Sequence, residues 1–95
     1  MSTVDDPDRR MVRQRTRALA ELSELRTMLG RLPRDDPGYR ELAVRKEVAA
    51  AEALNLGIAE VTVRRIGLFD DLEMRRVCGE AAEFRSYDAD LAQEY

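Results

Sequence analysis

Residues 8–38 read DRRMVRQRTRALAELSELRTMLGRLPRDDPG, and this stretch decides the fold class. Met11, Arg15, Ala18, Leu22, Leu25, Leu29 and Leu32 recur at alternating spacings of four and three residues. Such spacing lays one stripe along an α-helix, with a period of about 3.5 residues. Val12, Leu19 and Met28 widen the stripe, while Arg10, Arg13, Arg17, Glu21, Glu24 and Arg31 hold the opposite face. Ala, Leu, Arg and Glu, which dominate here, are strong helix formers. Asp5, Asp6 and Asp8 complement the helix dipole at its start, and Pro7 suits a first-turn position. The run from Gly30 to Gly38 then punctuates the chain. Gly30 or the residues just beyond it end the helix, and Pro33 cannot continue it. Asp35 or Asp36 is expected to cap the next helix, with Pro37 at its first position. So short a loop returns the chain antiparallel, as a coiled-coil-like helical hairpin.

Working outward, the second helix is expected over residues 38–56. Leu42, Val44, Val48, Ala49, Ala51, Ala53, Leu54 and Leu56 are its apolar set, and its alanines allow close approach of a neighbour. Gly57 leaves two readings open: the helix stops there, or it runs on through Ile58, Val61 and Val63 to Ile66. Glycine inside a helix costs about 1 kcal/mol relative to alanine, which packing can offset. Residues 66–69 read as a bend, and Asp70-Asp71 as a cap and first turn. A third helix, about 70–93, carries Met74, Val77, Ala81, Phe84, Asp88, Leu91 and Tyr95 on one stripe, with Cys78 beside it. The expectation is an all-α fold: an antiparallel helical hairpin plus a third amphipathic helix, bundle-like, in one domain spanning 1–95 with a flexible segment at 1–7.

Composition excludes several chemistries. The 95 residues include no His, so Ser-His-Asp and Cys-His schemes and nearly all catalytic zinc sites are out. The one cysteine, Cys78, has no internal disulfide partner and suits a reducing compartment. The five glycines are scattered singly, so no phosphate-cradling loop is present. No stretch approaches the ~20 apolar residues of a membrane span, and no signal-peptide core opens the chain. These features suggest a cytoplasmic, non-enzymatic protein with no cofactor, no metal and no membrane partner. On its stripe, Cys78 is expected to be a small core residue, although Arg75 and Arg76 would lower its pKa if they lie near it. Lys46, the sole lysine, carries no catalytic expectation.

Aromatics are only 5% of the chain, and a domain this size buries only about 60–65% of its unfolded surface. Three apolar stripes with few large side chains therefore suggest self-association, as a homodimer or higher oligomer, and binding of another protein through helix faces. Leu22, Leu25, Leu29, Leu32, Val77, Phe84 and Leu91 are the candidate interface residues. Charge is asymmetric beneath a formal net charge of −3: residues 1–32 hold seven arginines against five acids, and residues 67–95 three against eight. The basic first helix is thus expected to pair with the acidic third, within the bundle or across a dimer.

Two other readings accompany this one. Ala53, Leu56-Gly57-Ile58, Val63 and Ile66 fall at helix-turn-helix spacings, and the run from Gly57 to Arg65 resembles the turn and recognition helix of many bacterial repressors. The resemblance covers about eighteen residues, 49–66. It implies a DNA-binding regulator with Glu60, Val61, Thr62, Arg64 and Arg65 toward the major groove. Two features depart from the motif: the preceding helix is too long, and Glu52 sits where a small or apolar residue is usual. The other reading is a minimal all-helical enzyme in which buried arginines and a glutamate hold a dianionic substrate.

Overall fold

The computed structural model describes the backbone of residues 7–93 and the side chains of residues 8–86. Four helices follow in order: α1 (Pro7–Arg31), α2 (Tyr39–Asn55), α3 (Glu60–Gly67) and α4 (Asp71–Gln93). No strand occurs among the described residues. The expected three-helix arrangement is corrected to four, because the chain breaks at Gly57. There φ is +87°, a left-handed conformation that glycine adopts without the Cβ penalty. The Ile58 N–H donates back to Ala53 O at 3.2 Å, the six-to-one bond that closes a helix, so α2 stops and does not reach residue 66. The Arg15 Nε donates to Leu56 O at 2.7 Å and adds a positive charge at the same carbonyl end. That explains an arginine on an apolar stripe.

The loop after α1 differs in detail from expectation. Helix α2 begins at Tyr39, with Gly38 as its uncapped N-terminal neighbour, and Pro37 lies outside it. Asp36 instead accepts the Gly38 N–H at 2.8 Å, closing the turn that precedes the helix. Pro7 is the first residue of α1, so of the segment expected to be flexible only residues 1–6 lie outside the described part.

Helix α2 is the centre of the molecule. Ala49, Ala50 and Ala51 are consecutive and all buried. Successive helical residues point about 100° apart, so neighbours must cover α2 on most of its circumference. They do: α1 and α4 pack on α2, and α3 packs on both α1 and α2. Alanine at these positions lets the flanking helices approach, while Leu22, Leu25, Val63, Phe69, Met74 and Val77 fill the space between. Burying each Leu, Val, Phe or Met contributes about 1.5–3 kcal/mol. Helices α1 and α4 do not pack on one another among the described residues, so the expected pairing of basic and acidic helices inside the bundle is not seen there.

Candidate functional site

The elbow between α3 and α4 is built by two local motifs. Helix α3 ends with Leu68 in the left-handed region, φ 53° and ψ 53°, and with the Phe69 N–H donating to Arg64 O at 3.1 Å. This is the same closure as at Gly57, but with a leucine in the glycine position. The glycine stands one residue earlier because the Phe69 ring lies against Gly67, where a Cβ would collide with it. Helix α4 then starts with a capping box. Asp70 Oδ1 accepts the Glu73 N–H at 2.7 Å, and Glu73 Oε1 accepts the Asp70 N–H at 3.1 Å. The cap expected at Asp70-Asp71 is therefore present.

Lys46 locks the elbow onto α2. It is the only buried charged side chain among the described residues. Its Nζ donates to Gly67 O at 2.8 Å and sits 4.6 Å from the Phe69 ring centroid. Burial holds its pKa below the ordinary lysine value, opposed by the charges of Glu73 and Glu47. Sequence reading gave this residue no role. The available signal was that Lys46 is the single lysine among sixteen basic residues.

The outward face of α3 presents Glu60, Val61, Arg64 and Arg65, all exposed, while Val63 is buried and Thr62 and Ile66 are half-buried. Val61, Arg64, Arg65, Leu68, Phe69, Asp70 and Glu73 line a shallow depression of about 510 Å³. Three large apolar side chains stand out of this region: Val61, Leu68 and Leu72, at 63%, 66% and 62% exposure. Arg64 is tied to Asp71 across the elbow, Nη2 to Oδ1 at 2.6 Å. The five residues expected to face DNA thus share one helix, but Thr62 is turned half inward. Asp70 and Glu73 line the same depression as the two arginines.

The expected partner interface divides differently. Leu22, Leu25, Leu29 and Val77 are buried within the chain itself, and Leu32 is half-buried. Phe84 is exposed at 37%, and the Leu91 side chain lies outside the described residues. Cys78 packs half-buried against the core. Its thiol pKa is raised by burial and by the Glu60 carboxylate beside it, the reverse of an activating arginine environment. Glu80 Oε2 is buried without a hydrogen-bond partner. Burial and the charges of Glu47 and Glu83 raise its pKa, against Arg76, which pairs with Glu47 at 2.9 Å. The buried arginine pair that the enzyme reading requires is not among the described residues. Nor is a group of side chains placed to hold a metal ion, or a helix long and apolar enough to cross a membrane. No family model, curated protein or solved structure matches this chain.

Proposed function

We propose that the chain is a small, non-enzymatic helical module of the regulatory or adaptor type that binds another protein and self-associates. The observation that carries it is the elbow, where Val61 and Leu68 stand more than half exposed at a depression also lined by buried Phe69, with Leu72 exposed on the first turn of α4. Exposed apolar side chains clustered at a depression and rimmed by polar residues are the usual mark of a protein-binding surface. Charges of both signs border it, which suits a protein surface of mixed charge and not a uniformly anionic phosphate backbone.

The test immobilises the chain and compares partners captured by wild type with those captured by a Val61→Asp, Leu68→Asp double variant of matched circular dichroism. A protein retained by wild type and lost by the variant supports the proposal; identical capture refutes it. Fluorescence anisotropy on random duplex DNA at low salt separates the helix-turn-helix reading. Saturable binding abolished by Arg64→Ala and Arg65→Ala would replace the protein-binding proposal with the DNA-binding one.

A further inference from the structure

The flanking helices are longer than the helix they pack on. Helix α1 has 25 residues and α4 has 23, against 17 for α2. At 1.5 Å per residue these are about 37, 35 and 26 Å. The excess of both emerges at one end of the molecule. Arg15 reaches Leu56 at the end of α2, so residues 7–14 of α1 continue past it. Asn55 Nδ2 donates to Ala81 O at 3.2 Å, and Arg76 meets Glu47, so α4 runs in the same sense as α2 and residues 82–93 also continue past it. Every described side chain of these overhangs is exposed: 8–14 in α1 and 82–86 in α4. Met11 and Phe84 carry the apolar stripes of their helices out of the core, each 37% exposed.

The overhangs run in opposite directions and carry opposite charge. Residues 8–14 hold three arginines against Asp8, and residues 82–93 hold Glu83, Asp88 and Asp90 against Arg85. We propose that a second copy of this chain covers them. The basic α1 overhang of one protomer lies along the acidic α4 overhang of its partner, and the reciprocal pairing forms about a two-fold axis. Charge selects this arrangement, because pairing α1 with α1 or α4 with α4 sets like charges together. The inference deepens the self-associating part of the proposed function and uses a surface separate from the elbow.

Sedimentation velocity from micromolar to hundreds of micromolar tests it. Wild type forms a dimer of the 10.9 kDa chain at low salt. Its Kd rises tenfold or more between ionic strengths of about 0.1 M and 1 M, as the screening length falls from ~10 to ~3 Å. Two charge-reversed chains are then compared: Arg9→Glu with Arg13→Glu, which takes residues 8–14 from +2 to −2, and Glu83→Arg with Asp88→Arg, which takes residues 82–93 from −2 to +2. Each alone sets like charges together in both pairings and is monomeric. Their equimolar mixture sets opposite charges together in both and restores the dimer. A wild type that stays monomeric, variants that dimerise alone, or a mixture that stays monomeric overturns the proposal. The elbow double variant Val61→Asp, Leu68→Asp still dimerises, so loss of partner capture and loss of self-association are read separately.

Discussion

Replacing Gly67 by alanine tests the elbow most directly, because two opposing effects of known size meet there. Alanine is favoured over glycine by about 1 kcal/mol in a helix interior, and by less at Gly67, the last residue of α3. Against this, a Cβ at Gly67 would stand 2.7 Å from Phe69 Cδ2 and 2.9 Å from Cζ, with Cε2 nearer still. Phe69 is buried and has Lys46 over its ring, so it has little room to yield. Forcing a methyl into such a contact costs about 1–3 kcal/mol, and disturbing the ammonium–ring contact about 0.5–1 more. The overpacking dominates, and Gly67→Ala is expected to destabilise the fold by about 1–3 kcal/mol, out of a total of about 5–14 for a chain this long.

Gly79 is the internal control. It lies within α4, and a Cβ there meets nothing within 4 Å. Gly79→Ala is expected to stabilise by about 0.5–1 kcal/mol. Urea unfolding followed by ellipticity at 222 nm reads both changes. The cycle closes with Phe69→Leu, which removes the colliding ring. The combined variant should cost at least 1 kcal/mol less than the two single changes together, roughly the coupling expected of residues in contact. A Gly67→Ala protein as stable as wild type, or changes that simply add, refutes the packing described for the elbow.

Other outcomes follow from the same geometry. Leu68→Gly removes a left-handed leucine that is already mostly exposed, and should raise stability by about 1 kcal/mol in thermal melts while weakening partner capture through the lost apolar side chain. Glu80 has its folded pKa raised, so its contribution is favourable below the unfolded carboxyl value and is lost as pH rises through the folded value. Glu80→Gln should therefore raise the urea midpoint at pH 7, and the gain should shrink as pH falls through the carboxylate range; an equal gain at acid pH contradicts it. Cys78 should alkylate with iodoacetamide more slowly than a free thiol at neutral pH, and Glu60→Gln should speed it by removing an adjacent negative charge. Leu25→Asp puts a charge into a position only 3% exposed, and loss of helical circular dichroism is expected, since the partners there are α2 and α3 of the same chain.

Much of the secondary structure was legible because its signals are local. The stripe on α1, the punctuation from Gly30 to Gly38 and the Asp70 cap each involve residues within a few positions of one another, and each marks a real element. The separate helix α3 was only half legible. Gly57 signals a break, but the left-handed turn that makes it one is fixed by the Ile58-to-Ala53 bond and by Arg15 arriving from α1. Lys46 was illegible as an elbow clamp, since its partners Gly67 and Phe69 are 21 and 23 residues away and neither residue type announces a buried ammonium.

The interface residues fail for a more general reason. A period of about 3.5 shows that a helix face is covered, and carries no record of what covers it. Leu22, Leu25 and Met11 belong to one unbroken stripe on α1, yet the first two are buried by the chain and the third is not. What separates them is the length of α2. Its 17 residues end level with Arg15, so the stripe divides at that point into an inner part that α2 and α3 cover and an outer part that extends beyond α2. The same division falls on α4 between Ala81 and Phe84. Interface candidates in a chain of this kind are therefore the stripe residues of a long helix that lie beyond the end of its shorter neighbour. Here that criterion retains Phe84, adds Met11, and assigns Leu22, Leu25, Leu29 and Val77 to the core.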